Sequence, residues 1–271
     1  MVPPVLDGNI RMTCYRVGGG TAGNVPAGTI KQLVSAIPSI QKVINPIAAE
    51  GGSVPETRDA LLRRGPREIR HGDRAVTAED YEDLAMRSSR QVARAKCVPL
   101  RDLKADSEGR RKQSGVLSVI IVPNSIEPRP VPSPDLLDRV QQFLDERRSL
   151  LGKQILVAPE YVCVDVKTEI VVERARFMGE VERGARNQLD QFLHPVSGGA
   201  DGMGWGFGCF PQKFDLYVLF EKISGVSHVR NLQVEARPCR PGMERTGWFL
   251  VCSGHHEITL RLEEEYADGL A

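Results

Sequence analysis

The sequence predicts an α+β fold: several small mixed α/β layers in series, their sheets mainly antiparallel or mixed, with amphipathic helices on one face. Three observations lead there. Over 162–172, Val162, Val164, Val166, Thr168, Ile170 and Val172 alternate with Cys163, Asp165, Lys167, Glu169 and Val171, the pattern of a sheet buried on one face and wet on the other. Strand–helix–strand spacing occurs over 116–172, and helix–strand again over 213–236. The 271 residues also include 26 glycines and 18 prolines but only 6% aromatics, so the chain is rich in turns and short of large core anchors.

These signals divide the chain into a β-rich N-terminal segment at 1–54, an Arg-rich helical connector at 55–91, an α+β module at 92–173, and a second α+β module at 174–271 with a Gly-rich loop and a C-terminal hairpin.

Residues 10–17 alternate as a strand that Gly18-Gly19-Gly20 ends, and Val25 to Ile30 reads as a turn with a return strand. Asn45-Pro46, Gly51-Gly52 and Pro55 mark a loop. A short helix with Leu61 and Leu62 runs from Pro55 to Arg64, before a crossing to Arg74 that Gly65-Pro66 and Gly72 interrupt. Thr77 is a good N-cap for a helix to about Arg87, with Glu79 and Asp80 at the positive end of its dipole. Val92 to Pro99 and Val116 to Val122 are strands around a charged, turn-rich tip at 102–114.

Pro128-Arg129-Pro130-Val131-Pro132 is a stiff connector. Ser133 then caps a helix whose first residue, Pro134, needs no N–H there; Leu136, Leu137, Val140, Phe143, Leu144, Leu150 and Leu151 form its stripe and Gly152 its stop. A second amphipathic helix carries Val181, Ala185, Leu189, Phe192 and Leu193 and ends at His194-Pro195. Phe214 to Ser224 is a third helix, Leu232, Val234 and Ala236 mark a strand, and Trp248–Cys252 with Ile258, Leu260 and Leu262 form a final hairpin. Five carboxylates and one arginine at 257–271 make an acidic edge.

Lys and Arg total 36 against 35 Asp and Glu, for a net charge of +1, which excludes a globally basic nucleic-acid binder. Met1 to Gly8 shows no signal-peptide pattern, and the longest apolar run, Val116 to Pro123, is far short of the ~20 residues of a spanning helix. The expectation is a cytoplasmic protein. Cysteines 14, 97, 163, 209, 239 and 252 form no CxxC pair and read as free thiols. Arginine outnumbers lysine 27 to 9, which suits a protein of many interfaces and equally a genome of high GC content.

Gly18 to Gly23 has the GxGxxG spacing, but Asn24-Val25-Pro26-Ala27-Gly28 cannot start the helix that a pyrophosphate site needs, so a turn is the better reading. Cys239, Cys252, His255 and His256 are the alternative site, for a small metal-binding or hydrolytic enzyme. Their spacing lacks paired knuckles, and adjacent histidines on a strand point to opposite faces. Lone His71, His194 and His228 read as structural or surface residues. Neither a cofactor nor a metal is expected.

Two groups stand as interface candidates. Arg63, Arg64, Arg67, Arg70 and Arg74 are interleaved with Glu68 and Asp73, and no aromatic residue lies near to stack bases, so an ion-pair surface is favoured over a phosphate patch. Trp205, Phe207 and Phe210, set among glycines, either fold back onto the core or dock on a partner.

Several phrases together resemble the baseplate J-like family, the wedge proteins of contractile phage tails and related injection systems. They are Tyr15-Arg16-Val17-Gly18 through Thr29-Ile30, Asn45-Pro46 with Gly51-Gly52, and Arg74-Ala75-Val76-Thr77-Ala78-Glu79-Asp80-Tyr81-Glu82. Pro132-Ser133-Pro134-Asp135-Leu136-Leu137, Leu193-His194-Pro195 with Gly198-Gly199, Asp201-Gly202 with Gly204-Trp205, and Gly225-Val226 with His228-Val229 follow in order. Typical members are longer, and the resemblance is to their C-terminal part.

The resemblance implies a structural, non-catalytic baseplate (wedge) assembly protein acting through protein–protein interfaces. The implied partners are other wedge subunits, the central hub or spike and the sheath-initiating ring, in multiple copies per particle. Neither nucleic acid nor a small-molecule substrate is among them. Such a protein is made in the cytoplasm of the producing cell and assembled into the particle's baseplate.

Overall fold

The computed structural model describes residues 20–33, 37, 40, 42–49, 52, 54–106, 110–148, 152–239, 242 and 246–263. The strand expected at 10–17, Leu150 and Leu151 of the expected helix stripe, Cys14 and most of the acidic tail lie outside the described residues. The chain divides into two compact units, 1–66 and 67–271.

In the first unit, Gly20–Gly23 forms a single 3-10 turn. The return strand expected at 25–30 is not there. Two asparagine side chains hold this backbone instead. Asn45 Oδ1 accepts the Ile30 N–H at 3.0 Å while its amide donates to the Pro26 and Ile47 carbonyls. Asn24 exchanges two hydrogen bonds with the backbone of Gly52, at 2.7 and 2.9 Å. Side-chain amides can satisfy backbone groups that find no ladder partner.

Helix α1 (Arg58–His71) starts three residues later than expected and runs through Gly65-Pro66 instead of stopping there. Pro66 has no N–H to give the Leu62 carbonyl, and Leu62 lies on an exposed part of the helix at 61% exposure.

In the second unit, α2 (Ala78–Ser88) begins as the sequence predicted, with Thr77 and Asp80 in a reciprocal capping box. Strands β1 (Val92–Pro99) and β2 (Val116–Pro123) form the expected antiparallel hairpin. Helix α3 (Pro134–Asp145) is capped by Ser133 but ends at Glu146, well before Gly152. Beyond it lies β3 (Lys153–Val157), a strand the sequence reading missed, which runs parallel to β2 and completes a β1-β2-β3 sheet.

The apolar run of β2 is buried on both sides. Val119 and Ile121 pack with Leu84 of α2 and Leu136, Val140 and Leu144 of α3, whereas Ile120 and Val122 face the other way, toward Leu103, Val98, Tyr161 and Leu250. Each such fully buried aliphatic side chain contributes about 1.5–3 kcal/mol.

The second sheet has the order β5-β4-β6, made by β4 (Tyr161–Val172), β5 (Val226–Pro238) and β6 (Leu250–Leu262). β4 is antiparallel to β5 and parallel to β6, so each sheet is mixed. β4, grouped by sequence with the preceding module, therefore pairs with strands of the following one. Helices α4 (Met178–Phe192) and α5 (Lys213–Glu221) cover one face, over Val162, Val164, Val166, Ile170 and Val172.

The other face of β4 is wet only in the middle. Asp165, Lys167 and Glu169 are half-buried or exposed, while Cys163 and Val171 are buried. β6 corrects the expected C-terminal hairpin: 250–262 is one continuous strand. A bulge opposite Asp165 takes up one extra residue between Ser253 and His256. Gly254 sits at that bulge because a Cβ there would collide with Asp165 Oδ1, the atom that accepts the His255 N–H at 2.7 Å.

Candidate functional site

The arginine-rich stretch is a network of ion pairs. In the first unit, Arg64 makes a two-pronged contact with Glu56 at 2.8 and 2.9 Å, which holds that carboxyl below its usual range. In the second, Arg67 meets Asp83 at 3.2 Å, and Arg70 reaches Glu79, Asp80 and Asp83 at 3.3–3.7 Å. Arg87 bridges Glu68 and Asp73, and Arg147 shares Asp73. Arg74 is exposed, and its guanidinium pairs with no carboxylate among the described residues; the Arg63 side chain lies outside them.

Asp80 anchors this face. Burial raises its carboxyl pKa, but hydrogen bonds from Thr77 and from the Val76 N–H, with the Arg70 charge, more than offset that and hold it below the usual aspartate range. The pairs around it are largely solvent-exposed, where each contributes about 0–1 kcal/mol and is screened by salt.

The glycine-rich loop uses its rings differently. Trp205 donates its indole N–H to the Phe192 carbonyl at 2.7 Å, at the C-terminus of α4, and stands edge-on to the Phe192 ring with centroids 5.2 Å apart. Phe210 packs on Phe249 at 4.8 Å. Phe207 fills the seam between the sheets, under the Arg94 guanidinium 5.2 Å from its centroid. All three rings pack against the chain's own cores and stay half-buried. Gly204, at φ 79°, permits this close wrap, since a Cβ there would press on the Pro195 and Val196 carbonyls.

Arg94, from β1, clasps the loop by donating to the Pro195 and Trp205 carbonyls. Burial lowers its pKa, against a smaller opposing pull from Cys209 and Asp201. Two more arginines sit over soft groups. Arg101 lies 5.5 Å from the Trp248 ring, and Arg129 donates to the Cys163 sulfur at 3.1 Å. The proline connector is pinned to the second sheet by Tyr161 Oη, which donates to the Pro130 carbonyl at 2.7 Å.

The alternative metal or hydrolytic site does not come together. His255 and His256 point to opposite sides of β6, as the strand argument required. Cys252 is buried and Cys239 exposed. Among the described residues no group of three or more His, Cys, Asp or Glu could hold a metal ion. His256 instead meets Ser253 Oγ at 2.9 Å, and that hydroxyl donates to Asp190 at 2.5 Å. Sequence reasoning missed this group because Asp190 comes from α4.

His194 is structural as well. Its Nδ1 accepts the Val196 and Ser197 N–H groups, and its Nε2 bonds the Glu127 carbonyl at 3.1 Å. No described helix is long and apolar enough to cross a membrane.

The architecture is thus an α+β chain of two mixed sheets whose glycine-loop rings are turned inward and whose charged face lies outside. Residues 5–52 match the family model of the Baseplate J-like protein barrel domain. No curated protein matches the chain in sequence. Among solved structures, the fold is similar to a chain of the anti-feeding prophage (AFP) baseplate, known from a 6-fold symmetrised cryo-EM structure. The TM-score is 0.54 at 23% identity, over 90% of this chain and 51% of that one. The chain thus spans about half the length of that baseplate protein. Together the two findings support the resemblance to the baseplate J-like family.

Proposed function

We propose that this chain is a structural, non-catalytic subunit of the baseplate of a contractile, phage tail-like injection particle, of the wedge type. The observation that carries this reading is the fold shared over 90% of the chain with the AFP baseplate protein, and the barrel-domain match at 5–52 agrees with it. It assembles in multiple copies with other wedge subunits, the central hub or spike and the sheath-initiating ring.

The contacts run through local patches, because the overall field is close to neutral at a net charge of +1. The Arg67–Arg74 face is the better placed of the two candidate groups. Its Arg67 and Arg70 guanidinia are about half exposed, and the Arg70–Glu79 pair, exposed on both sides, can give way to a partner's carboxylate at little cost. Trp205, Phe207 and Phe210 support the shape of the subunit from within.

The test is removal of the gene from a producing strain, with electron microscopy and mass spectrometry of purified particles. Wild-type particles should contain the chain, and the deletion should leave particles with absent or defective baseplates. Normal particles without it would overturn the reading.

A further inference from the structure

Three cysteines that are scattered in the sequence meet on one face of the second sheet. Cys163 of β4 lies directly opposite Cys252 of β6 in the parallel register, with their sulfurs 3.7 Å apart. Across the antiparallel register, Cys163 faces Arg237 and Val162 faces Pro238, so Cys239 follows two positions on as β5 ends, on the same sheet face as Cys163 and diagonal to it. Cys163 and Cys252 are buried, whereas Cys239 is exposed. The Arg129 guanidinium donates to the Cys163 sulfur at 3.1 Å.

A pair of buried cysteines alone would be ordinary core packing. Here an exposed thiol is the diagonal neighbour of a buried one on the same sheet face, and a cation faces the buried member, which are the parts a thiol–disulfide exchange needs. The arrangement does not suit a metal, since no described group of three or more such side chains could hold one. Cys209, in the 206–210 loop, is also exposed.

We propose that Cys239 is an exchange site for low-molecular-weight disulfides and that Cys163 resolves the adduct, closing a Cys163–Cys239 disulfide. In the first step the Cys239 thiolate attacks one sulfur of the small disulfide. A Cys239 mixed disulfide forms and one small thiolate leaves. In the second, the Cys163 thiolate, stabilised as it forms by Arg129, attacks the Cys239 sulfur and expels the second small thiolate. The chain loses two electrons and two protons, and the reagent is reduced to two thiols. The new bond ties the end of β5 to β4, while the Cys252 thiol stays reduced.

Burial and the neighbouring Cys163 sulfur push the Cys239 thiol up, so the exchange runs through a small thiolate fraction and accelerates as pH rises.

The experiment uses the full chain with oxidised glutathione as the probe, acid quenching, alkylation of the remaining thiols and peptide mapping by mass spectrometry. A linked Cys163–Cys239 peptide pair with Cys252 alkylated is the expected result. Cys239→Ser should slow oxidation of Cys163 about tenfold or more, and Cys252→Ala should leave the linked pair intact. Circular dichroism checks that both variants fold. The proposal is overturned if wild-type Cys239 stops at the glutathione adduct with Cys163 still open to alkylation. It is equally overturned if Cys163 pairs with Cys252 instead, or if Cys239→Ser oxidises at the wild-type rate.

Discussion

The ring loop at 205–210 and the arginine-rich stretch at 63–74 are the two regions that a sequence reading offers as interfaces, and their side chains are held by different means. Trp205, Phe207 and Phe210 sit against the chain's own cores, with the indole N–H spent on a backbone carbonyl. Arg67 and Arg70 are about half exposed and share Asp83. Removing a ring leaves a void that the surroundings fill only in part, whereas removing a guanidinium takes away one of several exposed cations that share these carboxylates. An unusual residue type on a loop is therefore weaker evidence of a free surface than the exposure and replaceability of its partners.

The largest effect should come from Trp205→Ala. It removes the bond to Phe192 and the edge-on ring contact, and should destabilise the chain by about 3 kcal/mol or more, read as a large drop in melting temperature. An unchanged melting temperature would mean that the ring is not seated in the chain's own core, and would reverse the comparison.

Asp80→Ala should have an intermediate effect. It deprives the Val76 and Thr77 N–H groups of their acceptor and opens the capping box, at about 1–2 kcal/mol. Asp80 also carries a sign that can be checked. Its folded pKa is depressed below the ordinary aspartate value of 3.8, so its stabilisation is present above that value and disappears as pH falls through the lower, folded one. Denaturant unfolding over that acid range should show a shallower decline for Asp80→Ala than for the wild type, and parallel declines would remove Asp80 as the cause.

The smallest effect belongs to Arg67→Ala and Arg70→Ala. Each should change stability by about 0.5 kcal/mol or less, and the difference should shrink further at high salt. A salt-insensitive loss of several kcal/mol would show that this face is part of the core framework and not an exchangeable surface.

Elements whose signals are local were legible in the sequence. Thr77 with Asp80 announced α2, Ser133-Pro134 announced α3, and the alternation through 162–172 announced β4, because capping and side-chain period act over a few residues. Distant partners decided the others. β3 has only five residues, and its strand character depends on β2, to which α3 returns the chain. The sequence read 248–262 as a hairpin, but Asp165, from another strand, accepts the His255 N–H at a bulge, and β6 runs on as one strand. The same limit applied to side-chain groupings. His255 and His256 could be placed on opposite faces from strand period alone, but Cys239, paired in sequence with Cys252 and two histidines, has Cys163 as its neighbour.

The amino-acid sequence by itself therefore determined the class of fold, most element starts and the near-neutral charge, since propensity, capping and composition are properties of short windows. Tertiary structure alone decided the strand order β5-β4-β6, the inward fate of Trp205 and the meeting of three thiols beneath one arginine. These depend on which distant segments share a sheet, and that is settled by the burial available once whole layers pack together.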